Sequence, residues 1–523
     1  MTLDRTGLTR VRDGSTKTSS TAAAIRPGLL MEMAGVRYAF GGGAILKDEN
    51  SFGSDYTDAQ WSGIKYNSFN DTTNQIFALN GTDRKRVTAD GVNEWGITPS
   101  STVPTIAVGA GTGLTGDYNV KYTYARFNGT TLITESNPSA AAIAAQTLSN
   151  QDLSVTWVAS TDPQVTHVRL YRTLAGGSEF FFDQSVAIGS LQIDTSTTDV
   201  ALGTTVSINH DRPPLGTVVA GPFYNGVCFI AKGHNLHYCL SKQPEYFPST
   251  NFIEVGAPQF PILAIVELGG RVYCLTKAQI WLIQGTGQSN FLPVPMRSLT
   301  GASNLFGALA IEGSGIYHLG PDGIYLFSGS RDTKITQEAF DVLFTEINTV
   351  NGVPPVLDKV NNTWLIQFEN KIYFHYTGGN VLVFNLDTNK TLYQSYGITL
   401  TAPVVDKTNE RLYVGDFNNF VRQLEDPLAT DDDGTGIVWE IESKDFTLQT
   451  RRHFPRFVKW DVDPKAITVT GSLLLDGVVH QTHPIVTDVR KTKRRLVKEG
   501  NGRRCSLRLS GTGPAIVYAA EME

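Results

Sequence analysis

The sequence has no run of 18 apolar residues, no CxxC pair and no excess of positive charge, and each absence removes a class of protein. Without a long apolar run, and without a charged-then-apolar leader, the chain as written is expected neither to span a membrane nor to follow a standard secretion signal. Its four cysteines (Cys228, Cys239, Cys274, Cys505) form no dense framework and are expected as free, mostly buried thiols in a reducing compartment. Charged residues are only 18% of the chain and the net charge is −6, which excludes tight static binding of nucleic-acid phosphates as the main task. Helical periodicity is nearly missing as well. Ile335 to Val350 is the one convincing stretch: Thr336 is placed to cap it, Glu338 lies in its first turn, and Phe340, Leu343, Phe344 and Ile347 share a face. GxSxG, HExxH, GxxxxGK[ST] and the kinase signatures are all missing, so no catalytic motif stands out.

What the chain has is glycine (50), proline (23) and many short Val/Ile/Tyr/Phe runs between them, the composition of an all-β protein. Over 523 residues a hairpin signature recurs. An aromatic after a turn returns at Phe229, Tyr273, Tyr317, Trp364 and Tyr413, with spacings of 44, 44, 47 and 49. A second aromatic follows each at Tyr238, Trp281, Tyr325, Tyr373 and Phe420, across turn formers such as Gly320-Pro321-Asp322-Gly323. Tyr38 and Phe77 extend the series upstream and Trp460 extends it downstream. Units of this length, each holding a hairpin, mark the blades of a β-propeller, and six to eight are expected. Gly14 to Ala24 are nearly all small or polar, so residues 1–25 are expected as a flexible arm that orders only on a partner.

The series is interrupted between Phe77 and Phe229. Tyr118 to Tyr124 alternates apolar and polar residues, Asn128-Gly129 supplies a turn, and further short strands are expected at Leu153–Trp157, Val165–Tyr171, Phe180–Phe182 and Asp194–Asp199. Strands at this density fit an immunoglobulin-like or fibronectin-III-like sandwich over residues 103–214. It is inserted in a propeller whose first part is 26–102 and whose remaining blades and closing strands are 215–523.

Few residues are candidates for chemistry. His234, His237, Cys239 and Cys228 lie close together, yet no second pair has zinc spacing, so they are expected as hairpin residues. His480 and His483 flank a turn, and Gly41-Gly42-Gly43 reads as a blade turn. Asp431-Asp432-Asp433-Gly434 resembles part of a calcium loop without its distal acidic ligand, and a solvated loop is expected. One run stands against the overall charge: Arg490, Lys491, Lys493, Arg494, Arg495, Lys498, Arg503 and Arg504, with Glu499 the only acid among them. It is a candidate contact for another subunit or for DNA. No catalytic residue, metal ligand or cofactor is assigned, and an enzyme is not expected.

Several motifs carry a resemblance. Glu135-Ser136-Asn137-Pro138-Ser139 and Val168-Arg169-Leu170-Tyr171-Arg172-Thr173 resemble fibronectin-III-type modules that decorate phage virion proteins. Ile25-Arg26-Pro27-Gly28-Leu29, the stretch Asn225 to Ala231 leading to Pro244-Glu245-Tyr246-Phe247-Pro248, Leu268 to Thr276 with Ile280 to Gly285, and Gly502 to Gly511 are together similar to the tail hub or nozzle proteins of short-tailed bacteriophages. The resemblance implies a homohexameric ring in the virion tail, below the portal and adaptor and beside tail fibres or spikes, through which double-stranded DNA leaves the capsid. It also implies a structural protein made in the host cytoplasm. The alternative reading is a receptor-binding propeller that recognises host glycan or protein at the particle surface, and a weaker third is a glycoside-acting propeller.

Overall fold

Runs of four to seven β-branched and aromatic residues, broken by two-residue turns, fold as hairpins. Asn225-Gly226 and Asp476-Gly477 both hold two successive positive φ angles (49° and 76°, 48° and 83°), the turn whose twist matches that of paired strands. The computed structural model describes residues 2–3, 9–10, 12–67, 74–287, 290–336, 340–447, 457–465, 467–485, 492–495 and 503–522. It is 51% strand and 1% helix, which makes the protein all-β. The chain divides into two compact units, Met31–Thr345 and Met1–Leu30 with Glu346–Glu523.

In the first unit, four-stranded antiparallel sheets follow one another along the chain, each a meander in sequence order. They begin with Leu29–Met33, Ser62–Asn67, Val219–Tyr224, Ile262–Glu267 and Ala308–Ile311. From the second sheet to the fifth, the first strands run side by side. The Ala220 amide donates to Ser62 Oγ at 2.8 Å, and Tyr66 stacks on Phe223 with ring centroids 3.7 Å apart. Gly221 permits the approach of the next sheet, since a Cβ there would lie 2.6 Å from a methyl of Ile265. One apolar core runs through three of these sheets, from Ile64, Phe77 and Trp95 through Phe229 and Leu236 to Ile265 and Cys274. Sheets two and three are therefore neighbours in space although over 100 residues separate them.

Those intervening residues form their own two-layer β structure. One layer is the sheet Thr131–Glu135, Val120–Asn128, His167–Arg172, Phe181–Ala187. The other holds Thr105–Val108, Leu153–Thr156 and Gln192–Thr195, with the pair Leu114–Tyr118 and Gln146–Gln151. Tyr122, Tyr124, Val168 and Leu170 of the first layer pack against Leu114, Leu148, Leu153 and Val155 of the second. Thr105–Val108 and Gln146–Gln151 were not expected from the sequence: the first is short and does not alternate, and the second is almost wholly polar.

The second unit holds a sixth meander (Trp364–Phe368, Lys371–Tyr376, Asn380–Asn385, Lys390–Ser395) and a seventh of different construction. Leu400–Asp406, Arg411–Asp416 and Val421–Asp426 supply three strands, the fourth is Gly14–Lys17, antiparallel to Val421–Asp426, and the short strands Asp431–Asp432 and Thr435–Gly436 follow beyond it. Part of the expected flexible arm is thus a strand. Its residues are small and polar because the partner strand supplies backbone bonds and carboxylates rather than an apolar face. Gly14 is obligatory, since a Cβ there would meet the Asp431 carbonyl at 2.0 Å.

From Val438 onward the chain leaves the meander pattern. Val438–Glu442, Arg504–Thr512, Val469–Leu475 and Val478–Ile485 make one sheet; Phe457–Asp463, Ile516–Met522 and Thr492–Arg495 belong to another, to which Thr9–Arg10 also pairs. Trp439, Trp460, Leu473 and Leu509 share the core between them. Arg504–Thr512, within the stretch whose sequence resembles a closing strand, pairs with Val438–Glu442 and Val469–Leu475. The expected helix at 335–350 is also corrected. Among the described residues of that stretch only Val342–Thr345 is α-helical; the Ile335 amide still bonds Ile324 and Thr336 Oγ1 accepts the Ile324 amide at 3.2 Å, which removes the cap. Glu338 lies outside the described residues, and Ile347 is exposed.

The closing strand is held by more than its ladder. The guanidinium of Arg12, 4% exposed, donates to both carboxylate oxygens of Asp432 and to the Ser395 carbonyl (3.0 Å), and lies 4.0 Å above the Tyr396 ring. Ser15 Oγ donates to Asp432 Oδ1 at 2.8 Å, and Thr16 Oγ1 to Asp426 Oδ2 at 2.8 Å. Removing one member of a buried pair leaves the other charge uncompensated. Arg12→Ala should lower the unfolding free energy in guanidinium chloride by about 3 kcal/mol, whereas the double change Arg12→Met with Asp432→Leu should restore most of it. Equal losses in both variants would show that the ion pair is not what holds this strand.

Candidate functional site: a buried polar junction

Alternation along His167–Arg172 sends Val168, Leu170 and Arg172 to one side and Arg169 and Tyr171 to the other. Arg172 is buried on the core side, held by Asp199 (2.7 Å) and the Thr173 carbonyl (2.9 Å). Arg169 and Tyr171 meet Glu135, an edge-strand residue that is also bonded by Thr123 Oγ1 at 2.5 Å; Tyr171 donates at 2.6 Å and Arg169 Nη1 at 2.5 Å. Burial first, and then the Glu135 charge, push the Tyr171 phenol far above its ordinary range, so it serves as a neutral donor.

Onto this face comes a segment from the third meander sheet. The Glu135 amide donates to Tyr246 Oη at 2.5 Å, and Arg126 donates to Glu245 Oε1 at 2.5 Å. Arg86 of the second sheet stands 4.0 Å from the same carboxylate and bonds Gln164 of the inserted residues at 3.4 Å. The His210 ring stacks on Tyr246 with centroids 4.1 Å apart, and its amide donates to Asn137 Oδ1 at 2.8 Å. Asn137 Nδ2 donates to Asp211 at 2.6 Å. Where the chain returns, Arg212 bonds Glu94, the Trp95 carbonyl (3.2 Å) and Thr98 (2.6 Å). Burial alone would raise the Glu94 pKa, but Lys85 and Arg212 override it and hold the carboxyl below its usual range. The motifs Glu135–Ser139, Val168–Thr173 and Pro244–Pro248 are thus parts of one buried polar junction. It fixes inserted residues to sheets two and three, with Glu135 held by Thr123, Arg169 and Tyr171 and Glu245 by Arg126.

The basic run is divided. Lys493, Arg494 and Arg495 lie on Thr492–Arg495, paired with Lys459, Val458 and Phe457, while Arg503 and Arg504 open the strand of a different sheet. Arg503 and Arg504 are exposed; their amides donate to Asp476, and Arg504 Nη1 lies 3.3 Å from Asp445. Arg490, Lys491 and Lys498 lie outside the described residues, as does Glu499. The Asp431–Asp433 loop is not simply solvated: Asp432 pairs with Arg12, Asp433 with Lys17, and Asp431 Oδ1 accepts the Gly434 amide at 2.7 Å. Among the described residues no three His, Cys, Asp or Glu side chains gather as metal ligands. Cys239 is buried, its sulfur accepting the Cys228 amide, and His237 has its pKa pushed down to about 4 by burial and Lys232.

The junction has a sign for its pH response. Burial is the main cause that lowers the His210 pKa, with Arg169 opposing protonation and Glu135 and Asp211 favouring it. A histidine depressed in the folded state binds fewer protons than in the unfolded chain, so it stabilises fully above an unfolded pKa of about 6.5 and progressively less below it. His210→Phe keeps the stack on Tyr246 and removes the titration. Between pH 7.5 and 5.5 the wild-type protein should lose more unfolding free energy than this variant. Identical losses would place the pH response elsewhere.

No family model matches the sequence, and no curated protein matches it. Among solved structures it is similar to BamB from Moraxella catarrhalis (10% identity over 79% of this chain and 97% of that one, TM-score 0.33). It is also similar to the computationally designed Ika8 protein (10%, 77% and 97%, TM-score 0.35). A third likeness is to Myxococcus xanthus glutaminyl cyclase (13%, 40% and 89%, TM-score 0.23). Likeness this remote identifies no family.

Proposed function

We propose that the chain is a structural virion protein, the tail nozzle or hub of a short-tailed bacteriophage, and not an enzyme. In this reading the six meander sheets and the seventh, which Gly14–Lys17 joins, are propeller blades, residues 103–214 are an immunoglobulin- or fibronectin-III-like decoration, and copies assemble as a sixfold ring. The ring contacts adaptor- and portal-side tail proteins and fibres or spikes, and double-stranded DNA passes through it. The observation that carries the reading is the seventh sheet, in which Gly14–Lys17 joins three strands drawn from residues 400–426 and covers the edge that Val421–Asp426 would otherwise expose. Closure of this kind hides backbone groups and resists opening, which suits a part under internal pressure better than a catalyst that must move. Support also comes from the junction, where buried ion pairs hold elements together, and from the motifs that resemble nozzle proteins. The net charge of −6 fits a surface over which DNA slides rather than one that grips it.

Native mass spectrometry of the full chain, followed by electron microscopy of the particle, tests this. Six copies around an axial channel are expected. A monomer at micromolar concentration that binds host cells, or one that releases sugar from a host polysaccharide, would replace the nozzle with the receptor-binding or glycoside-acting reading.

A further inference from the structure

We infer that Cys228 and Cys239 are a modification site: two opposed thiols that a small-molecule disulfide such as oxidised glutathione converts into a cross-strand disulfide within the third meander sheet. The chemistry of this pair does not depend on the nozzle assembly.

The ladder sets the two residues against each other. Val227–Lys232 and Asn235–Tyr238 run antiparallel, with Lys232 opposite Asn235, Ala231 opposite Leu236, Ile230 opposite His237 and Phe229 opposite Tyr238. One step further in this register brings Cys228 opposite Cys239, and there the Cys239 amide still donates to the Cys228 carbonyl at 3.1 Å. Directly opposed residues share one face of a sheet, with Cα atoms roughly 4.5 to 5.5 Å apart. A disulfide spans Cα separations of about 4.4 to 6.8 Å, so no backbone movement is required to close one here. The Cys239 side chain is already turned toward its partner strand: its sulfur accepts the Cys228 amide at 3.0 Å. The Cys228 thiol lies 4.0 Å from the Phe229 carbonyl, too long a contact to fix its rotamer.

The other two cysteines have no such arrangement. Cys274 stands opposite Ile265 and Trp281, and Cys505 opposite Leu475 and Phe446. All four thiols are buried, so burial is common to them while opposition across a ladder belongs to one pair.

The bond forms by two exchanges. The Cys239 thiolate attacks one sulfur of oxidised glutathione and releases one glutathione thiolate; the Cys228 thiolate then attacks Cys239 Sγ in the mixed disulfide and releases the second. Two protein thiols are oxidised, one glutathione disulfide is reduced to two thiols, and the two protein protons end on those thiols. Burial pushes the Cys239 pKa up to about 12 and that of Cys228 well above its usual range, so exchange proceeds through local opening. Cys239 is the residue placed to open first, because Asn235–Tyr238 ends just before it and turns follow. In a reducing compartment the pair stays as thiols, and outside one it becomes the bond. The bond also bears on the junction. The Leu240 amide donates to the Tyr246 carbonyl at 2.8 Å, so a link at Cys239 pins the stretch from which Glu245 and Tyr246 reach Arg126 and Glu135.

The full-length protein is unfolded in guanidinium chloride with reductant, refolded in a buffer of oxidised and reduced glutathione, alkylated, digested and mapped by mass spectrometry. Refolding starts with all four thiols accessible, so equilibrium and not access decides the product. A peptide pair joined through Cys228 and Cys239 is expected, lighter than the reduced pair by two hydrogens, with Cys274 and Cys505 alkylated. Cys274→Ala should leave that product unchanged and Cys228→Ala should abolish it. Alkylation of both Cys228 and Cys239 in the refolded wild-type protein would overturn the assignment. So would links to Cys274 or Cys505 in comparable yield, since these would show that thiol availability and not the ladder selects the partners.

Discussion

The pairing of Gly14–Lys17 with Val421–Asp426 is the constraint on which the second unit depends. Without it, three strands of the seventh sheet end in an open row of backbone donors and acceptors, and the cation that neutralises Asp432 is gone. The bond set is unusual for a closing strand because it is so polar. Arg12 is almost wholly desolvated, bonds a carboxylate with two nitrogens and stacks on Tyr396. Such a pair adds little net stability over a well-packed apolar one, but it is costly to break and tolerates one geometry only. Its contribution is register. The same short stretch of chain, through Thr9–Arg10, also pairs with the C-terminal strand at Val517 and Ile516.

The first unit solves a different problem with similar chemistry. An insertion between adjacent sheets must be anchored or it will swing on its two connections. Here the anchors are charged: Arg126 with Glu245, buried, and Arg212 with Glu94, partly exposed. Gln164 adds amide bonds to the Glu94 and Gly96 carbonyls at 3.1 and 3.3 Å. Apolar packing would hold the inserted layers as firmly but in more than one orientation; charge-assisted and hydroxyl hydrogen bonds hold them in one.

Much of this was legible in the sequence and some was not, for identifiable reasons. The aromatic period located hairpins because Phe229, Tyr273 and Tyr317 occupy the second strands of successive sheets, facing Tyr238, Trp281 and Tyr325 or their immediate neighbours across the ladder. It then slipped. Trp364 lies on a first strand, and Tyr373 is the true second-strand aromatic, displaced by the segment between Asp332–Lys334 and Trp364–Phe368. Trp460 continued the spacing by coincidence, since it belongs to a sheet of another kind. The arm was misread because a composition of small and polar residues signals disorder unless a partner strand is known, and that partner lies about 400 residues away. At the junction the three motifs could be picked out, but the bond from the Glu135 amide to Tyr246 spans 111 residues and no local pattern announces it. Arginines at both 169 and 172, on opposite faces of one alternating strand, were the available clue that each face is buried.

Hydrogen exchange at the N-terminus tests the central claim most directly. If Gly14–Lys17 is the fourth strand of the seventh sheet, the Gly14 and Thr18 amides should exchange as slowly as those of the neighbouring strand Arg411–Asp416. Exchange at the rate of an unstructured peptide, with Arg411–Asp416 still protected, would mean that the sheet stands without its closing strand and that the arm is loose.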